Sequence, residues 1–220
     1  MLIRETKKGN KMIEKFCEYL VELIRKQMPE MDDDQAAVVL YGIEIIIGEI
    51  PKIFLMFITG FLLGYWWQTL AAFFLILPYK VCSGGFHLKT HIGCILCTNI
   101  IYCGNAILSS LVVLTDNIKW ILVTITAILG ILCVTKYAPA DTENLPILTR
   151  KERHTKKVLS YLFLGINLIA VVFVPNTIVS NILLFGTIIQ TFSITKFAYK
   201  ITKNQSGYEL YLREQVANHS

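Results

Sequence analysis

A chain of 220 residues that is 54% hydrophobic and only 17% charged has too little charge to coat a soluble domain. Composition therefore excludes a soluble globular enzyme and points to an integral membrane protein. The net charge of +5 is modest, and no basic patch interleaved with aromatic residues is present, which excludes nucleic acid as a partner.

The chain starts with charged and amphipathic sequence rather than an apolar run before a small-residue cleavage site, so no cleavable signal peptide is expected. Residues 11–27 predict an amphipathic helix lying in the membrane interface. Met12, Ile13, Phe16, Leu20, Leu23 and Ile24 fall on one face, and Lys11, Glu14, Lys15, Glu18, Glu22, Arg25 and Lys26 on the other. Pro29 is expected to end it, and Asp32, Asp33 and Asp34 to cap the next helix.

Six apolar stretches follow, at about 38–64, 66–83, 92–114, 118–138, 157–174 and 176–196, each close to the ~20 residues that cross a bilayer as helix. A competing parse lays 36–50 on the surface and runs one helix from Ile53 to Leu77, giving five spans. Positive charge favours six. With the N-terminus inside, 19 of the 21 Lys and Arg then lie on the cytoplasmic side, whereas five spans would translocate the loop that holds Arg150, Lys151, Arg153, Lys156 and Lys157. The expected fold class is all-α, with about six transmembrane helices after an interfacial helix. It divides into an interfacial region at 1–35, a transmembrane domain at 36–200 and a cytoplasmic tail at 201–220. Within the first span, Glu49 and Lys52 are three apart and expected to pair. Glu44 has no partner at hand and is expected at the inner interface.

Residues 80–94, Lys-Val-Cys-Ser-Gly-Gly-Phe-His-Leu-Lys-Thr-His-Ile-Gly-Cys, concentrate three glycines, two histidines and two cysteines between apolar runs. Gly84 and Gly85 permit backbone conformations closed to other residues. His87 and Cys94 are the parts of a thiol nucleophile and its base, since the thiolate attacks and the imidazolium can protonate a leaving amine. On one straight helix the two would be separated by about 10.5 Å of rise, at ~1.5 Å per residue. The helix must therefore begin after His87, which puts Cys94 near its N-terminus. Three other readings stay open. His91, three residues before Cys94, could be the base. His87, His91, Cys94 and Cys97 could present zinc ligands along one stripe. The segment could also be a polar turn with packed thiols. The six cysteines, scattered through apolar segments, are expected to be reduced rather than to form a disulfide framework.

The Gly84-Gly85-Phe86-His87 run followed by Cys94 resembles the accessory gene regulator B (AgrB) family, membrane cysteine endopeptidases of Gram-positive quorum sensing. So does the stretch from Tyr137 through Ala138-Pro139-Ala140-Asp141 to Pro146-Ile147, which is similar to that family's signature in a charged loop. The resemblance implies that His87 and Cys94 are catalytic and that Gly85 matches the glycine two before the histidine. Lys80 stands where relatives can carry arginine, and Arg150, Lys151, Arg153, Lys156 and Lys157, with Arg150 and Lys151 foremost, are candidates to meet an acidic peptide. It implies no cofactor and a multi-pass protein of the bacterial cell membrane with both termini cytoplasmic. The implied partners are an AgrD-like propeptide, the lipid bilayer and, optionally, a second copy in a homodimer. The implied reaction removes the propeptide's C-terminal tail and cyclises the remainder through an acyl-enzyme thioester to a thiolactone or lactone. The rivals are a non-enzymatic peptide exporter and a zinc-dependent membrane enzyme.

Overall fold

The computed structural model describes residues 11–28, 30–88, 90–143 and 146–219. Pro29, Lys89, Asn144 and Leu145, and the side chains of Glu44 and His91, lie outside the described residues. The described chain is helical: α1 (Lys11–Gln27), α2 (Asp33–Leu62), α3 (Trp66–Ser83), α4 (His91–Leu111), α5 (Asp116–Tyr137), α6 (Arg150–Phe173), α7 (Thr177–Ser193), α8 (Lys196–Thr202) and α9 (Gly207–His219). It divides into two compact units, residues 1–54 and 55–220.

In the first unit, α1 covers the residues its periodicity predicts, with Phe16, Tyr19 and Leu23 exposed. The start of α2 is a capping box: Gln35 N–H donates to Asp32 Oδ1 at 2.7 Å, and Asp32 N–H donates to Gln35 Oε1 at 3.3 Å. Lys52 donates to Glu49, as their spacing predicts.

In the second unit, α2 stops because Gly64 takes a φ of +78°. Tyr65 N–H then donates to Gly60 O, and Gly64 N–H to Phe61 O, so two carbonyls left at the helix end are satisfied. This break rules out the single helix from Ile53 to Leu77. The segments after α3, α5 and α8 meet one another, Gly85 N–H donating to Ala140 O and Asn204 Nδ2 to His87 O, and the end of α4 meets α7, Asn181 Nδ2 donating to Val112 O.

The exterior is apolar and the interior partly polar, the reverse of a soluble bundle. Helix α5 buries Val123, Thr126, Gly130 and Val134, and exposes Ile121, Ile125, Ile128 and Leu132. Helix α6 buries Ser160, Leu164, Asn167 and Val171, and exposes Leu162, Ile166, Ile169 and Phe173. The central helix is α7, which packs against α3, α4, α5 and α6. Its buried polar residues tie it to each neighbour it bonds. Asn181 donates to Val112 O at 2.8 Å, and Ser180 to Val171 O at 2.7 Å. Asn167 reaches Thr187 at 3.3 Å, and Tyr79 meets Thr191 at 3.1 Å. Polar side chains between membrane helices act as such ties, at about 0.6 kcal/mol each on average.

By length and composition α4, α5 and α6 can each cross a membrane, and α7 with α8 makes a fourth if that pair, bent by 71°, is one span. The protein is a multi-pass membrane protein with three to four candidate spans; α2 and α3, the other two expected crossings, carry Glu49, Lys52, Gln68 and Lys80.

Close helix contact depends on Gly186 in α7, where an added Cβ would stand 2.5 Å from Ile76 Cγ1 and 3.0 Å from Asn105 Nδ2. Gly186→Val is expected to cost about 1–3 kcal/mol by overpacking. Gly104→Ala, with nothing within 4 Å of the new Cβ, should be neutral or gain up to about 1 kcal/mol. Thermal unfolding of both variants in lipid nanodiscs separates the two effects.

Candidate functional site

Helix α3 ends at Ser83, and its last carbonyls must find partners inside the bundle. They find them on the Ala-Pro-Ala-Asp stretch. Ala140 N–H donates to Ser83 O at 2.8 Å, and Gly85 N–H donates to Ala140 O at 2.9 Å, forming a small parallel bridge between Gly84 and Ala140. The two motifs singled out in the sequence, more than fifty residues apart, are thus hydrogen-bonded to each other.

Only glycine serves at 84 and 85. Gly84 has φ +76° and ψ −149°, a region essentially reserved for glycine, and a Cβ there would lie 2.2 Å from Ala140 O. Gly85 has φ +143°, and its Cβ would stand 2.7 Å from Ser193 Oγ. The end of α7 completes the cradle. Gln190 Nε2 donates to Gly84 O at 2.7 Å and to Ser83 Oγ at 2.9 Å. Phe86 N–H donates to Ser193 O at 3.3 Å, a carbonyl left open because the chain bends into α8.

His87 follows directly. Its carbonyl accepts from Asn204 Nδ2 at 2.7 Å. Thr90 then caps α4, its hydroxyl accepting from Gly93 N–H at 3.2 Å, and Cys94 N–H makes the helix's first backbone bond, to Thr90 O at 2.9 Å. The helix therefore begins after His87, and Cys94 sits in its first turn, half-buried. None of the six cysteines is in a disulfide. Lys80, in the last turn of α3, lies over the Tyr102 ring, 5.5 Å from its centroid.

The charged loop is built around Asp141. Its buried carboxylate accepts from Arg153 Nη1 at 3.1 Å, Ile147 N–H at 3.1 Å, Ser206 Oγ at 2.8 Å and Tyr208 N–H at 2.9 Å. Arg153 also donates to Pro139 O and stacks on Tyr208, 4.2 Å from the ring centroid. Arg150 and Lys151 are exposed in the first turn of α6 and stand outside this cluster. Lys156 pairs with Glu152 at 3.2 Å, and Lys157 donates to Thr135 O at 2.6 Å. Among the described residues, no group of three or more His, Cys, Asp and Glu side chains gathers to hold a metal ion.

The sequence pointed to the segment and the loop but not to Gln190, Ser193 or Asn204 as their supports. Gln190 carried a signal, a polar side chain in an apolar run. Asn204, in a polar tail, carried none.

Asp141→Ala would strand the Arg153 guanidinium and three other donors. Removing one member of a buried pair costs about 3–5 kcal/mol. Amide hydrogen exchange should rise across 138–147 and 204–210 while α5 and α6 stay protected. Unchanged exchange in both segments would contradict the carboxylate's role as their common anchor.

The accessory gene regulator B family matches residues 17–194. Among curated proteins, an AgrB-like protein of Listeria welshimeri is 27% identical over 197 residues, covering 86% of this chain and 91% of that protein. AgrB-like proteins of Listeria monocytogenes and Clostridium acetobutylicum are 27% and 25% identical, the latter over 92% of this chain and 97% of its own length. No solved structure matches the chain.

Proposed function

The chain belongs to the accessory gene regulator B family, and on that premise we propose that it is a membrane cysteine endopeptidase and cyclase acting on an AgrD-like propeptide, with Cys94 as nucleophile and His87 as its base. The observation that carries this reading is the start of α4. The Thr90 cap separates His87 from the helix that holds Cys94, so seven residues of sequence need not mean ~10.5 Å of helical rise.

In the proposed reaction His87 takes the Cys94 proton and the thiolate attacks the scissile carbonyl. The C–N bond breaks, and the imidazolium gives its proton to the departing amine of the tail. A thioester joins the rest of the propeptide to Cys94. A thiol within the propeptide then attacks that thioester, its proton passing to the Cys94 sulfur as the thiolactone closes. One thioester replaces another, so the step is close to balanced in energy; a serine hydroxyl would give a lactone. A site at the membrane boundary limits competing attack by water.

The acidic tail of such a propeptide would meet Arg150 and Lys151. Arg153, Lys156 and Lys157 are engaged by Asp141, Glu152 and Thr135 respectively, which leaves the two exposed cations at the head of α6. We further propose six crossings, α2 to α7, with both termini and the 84–90 and 138–149 connections in the cytoplasm, because that arrangement keeps the positive charge inside.

Co-expression with the amphipathic Cys- or Ser-containing peptide encoded nearest this chain, followed by mass spectrometry of the tail and macrocycle, tests the chemistry. Cys94→Ala, Cys94→Ser and His87→Ala are expected to lose at least about 10²-fold in cleavage. Cys82→Ala, Cys97→Ala, Cys103→Ala and His91→Ala should keep most of it. Full cleavage by Cys94→Ala would overturn the cysteine mechanism and favour the exporter, and loss in His91→Ala with activity in His87→Ala would transfer the base to His91.

Topology is tested on intact cells with a membrane-impermeant thiol reagent. Asn117→Cys should be labelled and Lys151→Cys should not. Labelling at position 151 would refute a cytoplasmic 138–149 connection.

A further inference from the structure

Nothing in the catalytic reading explains why residues beyond 194, where the family match ends, reach back to both motifs. At the end of α8, Lys203 takes a left-handed φ of +55°, which reverses the chain. Asn204 N–H then donates to Tyr199 O at 2.9 Å. The Asn204 amide donates to His87 O at 2.7 Å and to Thr202 Oγ1 at 2.7 Å, so its orientation is fixed from its own side. Two residues on, Ser206 Oγ donates to Asp141 Oδ1 at 2.8 Å, and Tyr208 N–H donates to Asp141 Oδ2 at 2.9 Å. A Cβ at Gly207 would lie 2.5 Å from Thr142 O, so the segment lies flush on the loop. Tyr199 OH adds a bond to Asp141 O at 3.0 Å.

One short stretch therefore grips the histidine turn at one point and the Ala-Pro-Ala-Asp loop at another. Gly84, Gly85 and Phe86 are already held by Gln190, Ala140 and Ser193. The Asn204 bond holds the next residue, His87, on the way to the α4 cap.

We propose that the 203–208 segment is a clasp for the site and that Asn204 is a positioning residue, setting the backbone of His87 so that its imidazole serves Cys94. This rests on the reading of His87 as base. Asn204 touches no reacting atom. Its effect passes through His87, and this gives it a signature that general loss of structure lacks. Once His87 is removed, Asn204 should have nothing left to position.

The test uses the full chain in lipid nanodiscs and iodoacetamide as the probe, with alkylation of Cys94 followed at pH 7.5 by peptide mass spectrometry. A misplacement of about 1 Å at a catalytic group can cost as much as ~10²-fold. We expect Asn204→Ala and the near-isosteric Asn204→Asp, which lacks the amide donor, each to slow alkylation of Cys94 about five- to tenfold. His87→Ala should slow it at least as much, and adding Asn204→Ala to His87→Ala should produce no further change. Asn204→Gln, which keeps the donor, should recover part of the rate. Asn204→Ala and Asn204→Asp within twofold of the parent, with His87→Ala slow, would overturn the clasp and leave the base assignment standing. His87→Ala alkylated at the parent rate would overturn both. A further loss on adding Asn204→Ala to His87→Ala would make Asn204 a general structural support and overturn the positioning role. Asn204→Asp guards against misfolding of the alanine variant, and recovery of monodisperse protein establishes which variants are compared.

Discussion

Between Ser83 and Phe86 the chain leaves a helix inside a bundle, and every backbone group the helix releases must find a partner there. In a bilayer such groups cannot be left to water, and irregular backbone survives only against protein or a wet cavity. Here five of those groups find partners across the fold: Ser83 O takes Ala140, Gly84 O takes Gln190, Gly85 N–H takes Ala140, Phe86 N–H takes Ser193 and His87 O takes Asn204. These bonds come from the α5–α6 connection, from α7 and from the segment after α8. The turn is held by three separate regions of the chain, and each of them is in turn positioned by something else. The α5–α6 connection is folded around Asp141, α7 is fixed by its own polar side chains, and residue 204 is set by the left-handed turn at Lys203.

The same constraint explains why the polar residues of this membrane protein collect on α7. A helix that packs against four others is mostly enclosed, so Ser180, Asn181, Thr187, Gln190 and Thr191 can be buried against protein donors and acceptors. Helices α5 and α6 show the opposite pattern, with a narrow inward stripe that mixes valine, leucine and small or polar residues and large apolar side chains over the rest. In apolar surroundings such hydrogen bonds supply register more than bulk stability, because each is worth little. That register matters at one end, where Thr191 and Gln190 meet Tyr79 and Gly84.

Much of this was legible from residue order. The amphipathic period of α1, the Asp32 cap, the Glu49–Lys52 pair and a helix start between His87 and Cys94 all follow from local rules that the chain obeys. The alternative with one helix from Ile53 to Leu77 failed because a single glycine at 64 adopted a positive φ, an event that residue composition permits without requiring. The docking of the Gly-Gly turn on Ala140 could not be read at all. It joins residues more than fifty apart through backbone atoms, and backbone atoms leave no residue-specific trace. Asn204 was invisible for a related reason: a polar side chain in a polar tail announces no partner. Arg153 illustrates a different failure. In the sequence it was one of several interchangeable charges in a basic loop, and only the fold distinguishes it from Arg150 and Lys151.

That distinction separates the charges that hold the loop from those that do not. A guanidinium stacked on Tyr208 and bonded to a buried carboxylate is a building element, since withdrawing it would leave Asp141 charged and unpaired. It cannot also be released to an incoming acidic peptide without undoing the anchor of the Ala-Pro-Ala-Asp stretch, and with it the acceptor for Gly85. The exposed Arg150 and Lys151, just before it on the same helix, carry no such obligation. They are solvated, cost little to redirect, and lie on the same helix start, so an anionic segment held there would approach the loop without disturbing its core. Arg153 thus holds the shape of the loop, while Arg150 and Lys151 lie exposed on the same helix start and can move without undoing it.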